Sequence, residues 1–212
     1  LNQVTVVDFG AGNLLSVERA LRHLGAEVLS ATTPEAILAA ERLILPGVGA
    51  FAACMEGLKS KGLVEPILAF AKTGRPFLGI CVGLQMLFDE SEEFGHHAGL
   101  GLIPGRVVRL SDKDSEGRKL RVPHIGWNAL SRPAGRTWQN TPLASTQPGA
   151  SMYFVHSFAA VPADAAHRLA DCVYGGHPVL AAARKDNITG CQFHPEKSGP
   201  AGLNLLETFL KS

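Results

Sequence analysis

A cysteine set between two glycines, at the point where a buried strand should turn into a helix, constrains this chain more than any other stretch. Pro76 to Ile80 is a short apolar run with the length and flanks of a buried strand, and Leu84, Leu87 and Phe88 follow at helical spacings. The pattern carries that helix to about Glu90. Cys81 stands at the junction, with Gly79 before it and Gly83 after it. Such a turn crowds its neighbours and strains its apex, so small flanking residues are needed; the spacing parallels the G-x-S-x-G elbow with Cys in place of Ser. A thiol there faces unpaired N–H groups and the positive end of the helix dipole, which favour a thiolate. Cysteine is also a common buried residue, so the elbow alone leaves a purely structural cysteine open.

A second stretch supplies what a thiolate nucleophile needs. Ile188 to Phe193 reads as a strand and runs directly into His194-Pro195-Glu196-Lys197. A nucleophile needs a base to manage its proton, and the base needs a third group to fix its tautomer and orientation. His194 and Glu196 are joined through Pro195, which stiffens the link so that both can turn toward one crevice. A lone His-Pro is more often a turn; Cys81, His194 and Glu196 together are a candidate triad.

Composition excludes other classes. The chain has 212 residues, 46% of them hydrophobic and 18% charged, at a net charge of +1, which fits one α/β domain spanning residues 1–212. No long basic or acidic block argues for nucleic acid or a membrane surface. No apolar run approaches the roughly 20 residues a membrane helix requires, and the start of the sequence lacks the basic opening of a signal peptide. A cytoplasmic location is therefore expected. Cys54, Cys81, Cys172 and Cys191 show no C-x-x-C spacing, so neither zinc nor a disulfide framework is expected. The adjacent His96 and His97 have no third ligand near in sequence and read as a solvated loop rather than a metal site.

Strands and helices alternate through the first half. Val4 to Asp8, Ala26 to Ala31 and Arg42 to Leu45 read as strands. Helices are expected over Leu14 to Leu24, Pro34 to Ala40, Phe51 to Ser60 and Val64 to Lys72. Gly10-Ala11-Gly12 invites a dinucleotide reading, but Leu15 occupies the place of the third glycine, so a tight turn with Asn13 near the N-cap fits better. Pro46-Gly47-Val48-Gly49 ends the third strand, at the edge where α/β sheets hold ligands. It is either an ordinary turn or a run of bare N–H groups able to hold an oxyanion. Past Gly99 strands follow one another: Gly105 to Leu110, Lys119 to Pro123 and Trp127 to Leu130 read as an antiparallel extension of the main sheet. Ser151 to Val161, Arg168 to Val173 and Val179 to Arg184 then lead into the His194 strand, and a helix after Pro200 closes the chain.

The combination resembles the class I, triad-type glutamine amidotransferases, which cleave the side-chain amide of glutamine and pass ammonia to a synthase. Gly79-Ile80-Cys81-Val82-Gly83-Leu84-Gln85 and His194-Pro195-Glu196 carry that resemblance. Within the class, four further motifs are similar to the glutaminase subunits of imidazole glycerol phosphate synthase: Asp8-Phe9-Gly10-Ala11-Gly12-Asn13-Leu14, Pro46 to Gly49, Pro123-His124-Ile125-Gly126-Trp127-Asn128, and Tyr153-Phe154-Val155-His156-Ser157. Together they span the chain. The resemblance implies a flavodoxin-like three-layer fold, with a mostly parallel central sheet flanked by helices and an antiparallel extension in the second half.

It also implies residue roles. Cys81 becomes the nucleophile, His194 its base and then acid, and Glu196 the group that orients His194. Gly47, Val48 and Gly49, with Val82 at the elbow, become the oxyanion and substrate segment, and Gln85 and Ser157 hold the glutamine. Asn13, Trp127, Tyr153 and Lys197 face a cyclase partner subunit. No cofactor and no metal are expected. Phe9 and Phe158 stand where many relatives carry Tyr. Two rival readings remain at the level of sequence: a stand-alone cysteine hydrolase using the same triad, and a silent binding module, against which an intact triad weighs heavily.

Overall fold

The computed structural model describes residues 2–10 and 13–212; Ala11 and Gly12 of the Gly-x-Gly turn lie outside them. A seven-stranded sheet forms the centre, with strand order β11-β12-β13-β4-β3-β1-β2. Its parallel part is β1 (Gln3–Val7), β2 (Glu27–Ala31), β3 (Leu43–Gly47), β4 (Phe77–Cys81) and β13 (Ile188–Cys191). Every residue of β3, β4 and β13 is buried, which is why their sequences are continuous apolar or small runs rather than alternating ones. The antiparallel extension is present, but β11 (Arg168–Tyr174) and β12 (His177–Lys185) make it, added to β13.

Helices α1 (Leu14–His23), α2 (Pro34–Ala39), α3 (Phe51–Ser60), α4 (Val64–Ala71) and α6 (Gly199–Leu210) cover the sheet. They gather as α1 with α6 and α2 with α4, and right-handed crossovers put α1 and α2 on opposite faces. The core between them holds Phe51, Phe70, Phe77, Phe88 and Phe209, all fully buried. Asn13 precedes α1 at the N-cap position, but its side chain makes no capping hydrogen bond.

Three expectations fail from the elbow onward. The elbow helix α5 covers only Val82–Met86. It stops because the segment after Gly99 takes its carbonyls: Leu100 N–H donates to Met86 O and Leu102 N–H to Leu87 O, at 2.8 and 2.9 Å. The chain then enters β5 (Phe88–Ser91). Secondly, the strands expected to widen the main sheet lie elsewhere. β7 (Ile103–Arg109) joins β5, β6 (His97–Ala98) and β10 (Phe158–Pro162) in a four-stranded sheet, whereas β8 (His124–Ala129) pairs with β9 (Ser151–His156) in a separate two-stranded ribbon. Residues 119–123 form no strand; Leu120 N–H is bonded back to Asp112 O. Thirdly, the single strand expected over 151–161 is two, broken at Ser157, because its halves serve different sheets.

Candidate active site

Parallel register brings the elbow together. Gly47 is the partner of Cys81 across β3 and β4, and Cys191 is the partner of Ile80 across β13 and β4. The next residues of β13 therefore emerge beside Cys81 at the carboxyl edge of the sheet, and two steps further stands His194. Cys81 has φ 57 and ψ −112, a strained conformation for a non-glycine residue and one that lifts the side chain off the strand end. The glycines around it are required by contact. A Cβ on Gly83 would stand 1.9 Å from the carbonyl oxygen of Leu45, and one on Gly79 would stand 2.8 Å from that of Gly83. Gly47 is equally close: its Cβ would stand 2.8 Å from the Gly83 nitrogen. Strand β3, strand β4 and the first turn of α5 thus meet backbone to backbone.

His194 is buried, and its Nδ1 lies 2.8 Å from Glu196 Oε1, whose side chain is fully buried. Burial works against the imidazolium, but hydrogen bonds to the Cys81 sulfur and to Glu196, with the charges behind them, outweigh it and push the His194 pKa up to about 9. His194 is tied to β9 by a closed loop of bonds. His194 N–H donates to Tyr153 O at 2.9 Å, Tyr153 N–H donates to Ser198 Oγ at 2.9 Å, and Ser198 Oγ–H donates to His194 O at 2.6 Å.

The cleft over these groups measures about 320 Å³, and Val48, Gly49, Cys81, Gln85, Ser157 and His194 are among its lining residues. That volume suits an amino-acid-sized molecule. Val82 and Glu93 also line it. Glu93, two residues past β5, accepts the Phe51 N–H at 2.6 Å, so it joins the end of that strand to the start of α3, just after the Gly47–Gly49 segment. Of the four cysteines only Cys81 lines the cleft. Burial pushes the Cys54 thiol up to about 11 and that of Cys172 up to about 12, and raises Cys191 as well, so these three hold their protons near neutrality.

The predicted docking residues separate from the cleft. Trp127 and Tyr153 are partners across the β8–β9 ribbon, with ring centroids 6.0 Å apart. Trp127 and Ile125 are each 58% exposed, so the outer face of this ribbon is apolar and open. Trp127 is not packed into the core. Lys197 is exposed directly after Glu196, and Asn13 is half-buried. The inner face of the ribbon carries His124 and His156, which are buried and hydrogen-bonded to each other at 3.0 Å.

Burial pushes both His124 and His156 down to about 4. The two kinds of histidine shift give stability opposite slopes. His124 and His156 stay neutral in the folded chain, so stability is lost as pH falls from 6.5 toward 4, where the unfolded chain takes up protons that the fold refuses. His194 binds its proton more tightly when folded; that contribution is complete below 6.5 and is lost as pH rises through about 9. Urea midpoints at pH 5, 7 and 9.5 are expected to be highest at pH 7, and His194→Ala should flatten the alkaline limb. An alkaline limb identical in that variant would contradict the assignment.

Residues 5–212 match the family described as "Glutamine amidotransferase class-I". Over 212 residues the chain is 48% identical to the protein named imidazole glycerol phosphate synthase subunit HisH 1 from Legionella pneumophila (strain Lens), with both chains covered completely. It is 47% identical over 210 residues to the HisH subunit from Syntrophotalea carbinolica, covering 97% of this chain and 98% of that one. Among solved structures, a glutamine amidotransferase crystal structure superposes with a TM-score of 0.71 at 20% identity, covering 97% and 98% of the two chains. A chain of PurLQS from Thermotoga maritima superposes with a TM-score of 0.70 at 21% identity, covering 99% and 97%. At that identity these two speak for the fold alone.

Proposed function

The chain belongs to the class I glutamine amidotransferase family, and from that membership we propose that it is the glutaminase subunit of imidazole glycerol phosphate synthase in histidine biosynthesis. The observation that carries this reading is the convergence of Cys81, His194 and Glu196 at one sheet edge under a cleft of amino-acid size. Identity near 48% along the whole chain to subunits of that name supports the choice within the family.

The chemistry runs as acyl transfer to water. The Cys81 thiolate attacks the side-chain amide carbon of glutamine, and backbone N–H groups at Val82 and along Gly47 to Gly49 hold the oxyanion. His194, protonated at neutral pH, gives its proton to the leaving ammonia as the carbon–nitrogen bond breaks. The emptied imidazole then takes a proton from water, which hydrolyses the γ-glutamyl thioester and frees glutamate and the thiolate. Glu196 fixes the imidazole through Nδ1, leaving Nε2 for the proton traffic. Gln85 and Ser157, both in the cleft wall, hold the substrate.

Ammonia passes to a cyclase subunit, which joins it to its ribulosyl-aminoimidazole-carboxamide substrate and makes imidazole glycerol phosphate and aminoimidazole carboxamide ribotide. The cyclase docks on the apolar ribbon face of Trp127, Ile125 and Tyr153, with Asn13 and Lys197 at its border. Such a face, exposed and aromatic, has the composition of an interface centre. Tyr153 bonds directly to the backbone of His194, so docking reaches the base through one residue. No helix among the described residues is long and apolar enough to cross a membrane; the reading puts the complex in the cytoplasm.

Glutamine turnover of the purified chain, alone and then with a cyclase subunit and its ribonucleotide ligand, tests this. A low rate alone that rises by orders of magnitude in the complex is expected. A high rate that ignores the partner would favour a stand-alone hydrolase instead.

A further inference from the structure

Gln192 is fully buried, one residue past β13, and the mechanism above gives it no task. The register that pairs Cys191 with Ile80 puts Gln192 beside Cys81. Its Nε2 lies 3.9 Å from the Cys81 sulfur, and its Oε1 accepts from Gln85 Nε2 at 3.1 Å. We propose that Gln192 is a positioning residue for the nucleophile: its amide N–H holds the Cys81 sulfur on the side away from substrate and stabilises it as a thiolate. This rests on Cys81 being the nucleophile.

Hydrogen-bond chemistry fixes which end of the amide meets the sulfur. Phe158 O is a carbonyl and can only accept; it receives Gln85 Nε2 at 3.0 Å and His156 Nδ1 at 2.9 Å. Gln85 therefore turns its NH2 toward Phe158, and the same NH2 faces Gln192. A flipped Gln192 would set donor against donor. The only arrangement that satisfies both buried amides aims the Gln192 NH2 at Cys81. A further link follows, because His156 Nδ1 must carry a proton to donate to Phe158 O. His156 Nε2 is then an acceptor, and His124 Nδ1 donates to it at 3.0 Å. A chain of hydrogen bonds thus links the inner face of the β8–β9 ribbon to the Cys81 sulfur, with His156 and Gln85 both donating to Phe158 O.

At 3.9 Å the contact is long for a neutral thiol. Sulfur is a weak acceptor until it is charged, and a hydrogen bond to an ionised partner is about twice as strong as a neutral one. The bond therefore contributes most in the states where sulfur carries negative charge, before attack and again when the thioester is cleaved, and least in the neutral acyl-enzyme. It favours thiolate over thiol and assists thioester cleavage, in which charge returns to sulfur, and it does not lower the barrier to attack, in which charge leaves sulfur.

The test is the pH dependence of Cys81 alkylation by iodoacetamide, with glutaminase kcat measured in the cyclase complex. In Gln192→Met, which keeps the length and loses the donor, the alkylation midpoint is expected to move up by about one pH unit. The neutral-pH rate should fall roughly tenfold, with KM for glutamine little changed. Gln192→Glu should move the midpoint further, since a carboxylate would face the sulfur. A variant that loses thermal stability but keeps the parental midpoint assigns Gln192 a packing role and overturns the proposal. If neither variant folds, the unsubstituted protein decides: the Gln192 side-chain amide resonances must move as the Cys81 thiol titrates, and resonances that do not follow it overturn the proposal. Failure of the underlying reading looks different, since Cys81→Ala would then retain glutamine hydrolysis whatever Gln192 does.

Discussion

Replacing Cys81 by alanine is expected to remove glutamine hydrolysis from the complex, by roughly 10,000-fold or more, while leaving the fold intact. A catalytic unit loses nearly all its activity with its nucleophile, and what remains comes from binding and the oxyanion donors. The side chain removed is small, and alanine at φ 57 carries the strain that cysteine already carries, so the stability cost should be slight. His194→Ala is expected to fall nearly as far, and the double variant scarcely further, because the two act as one unit. Cys172→Ala is the matched control. Cys172 is buried in β11 away from the cleft, its thiol held protonated by burial, and activity per folded molecule should be retained. Steady-state ammonia release, with circular dichroism to confirm folding, reads all four. A Cys81→Ala variant within tenfold of the parent would remove the covalent mechanism.

The turn at Cys81 and the His194–Glu196 contact were legible in the sequence because their spacing is local. Gly79, Cys81 and Gly83 are needed within five residues, and His194 and Glu196 within three, so spacing alone exposes them. The alternating first half was legible for a similar reason: buried parallel strands are short apolar runs, and their helices carry a helical stripe. What escaped depends on partners distant in sequence. Leu87 and Phe88 continue a helical spacing, yet α5 ends at Met86 because residues 100–103 claim the free carbonyls. The closeness is visible at Gly99, where a Cβ would stand 2.1 Å from Phe88 O. Residues 151–161 read as one strand because both halves are apolar. Only pairing, with β8 for one half and β7 for the other, reveals the break at Ser157. Glu93 and Gln192 escaped for the same reason, since each is marked by what it touches. Gln192 did leave a trace: aligning Gly79-Ile80-Cys81 with Gly190-Cys191-Gln192 as neighbouring parallel strands sets the amide next to the thiol.

Among the described glycines, Gly83 is expected to tolerate an added methyl group least. The new Cβ would stand 1.9 Å from Leu45 O and 2.9 Å from Leu45 C, which are backbone atoms of β3 that no rotamer change can move. Relief requires α5 and β3 to separate by more than 1 Å, the distance from overlap to ordinary contact. Overpacking of a compliant core costs about 1–3 kcal/mol; rigid backbone on both sides puts this case at the top of that range or beyond it, a large share of a typical stability. The same separation displaces the residue next to Cys81 and opens the Gly47–Cys81 pairing, and a misplacement of about 1 Å at a reacting group typically costs 100-fold in rate. Stability and turnover should therefore fall together. Gly25→Ala separates crowding from backbone conformation. Gly25 has φ +78, and a Cβ added there would meet nothing within 4 Å, so alanine at this position bears only the left-handed backbone penalty of about 1–2 kcal/mol and should leave kcat unchanged. Denaturant midpoints and turnover of both variants decide the matter: a Gly83→Ala protein no less stable than Gly25→Ala would mean that β3 and α5 part at no more than that left-handed penalty of about 1–2 kcal/mol, well below what rigid backbone contact demands, and that the elbow does not depend on their contact.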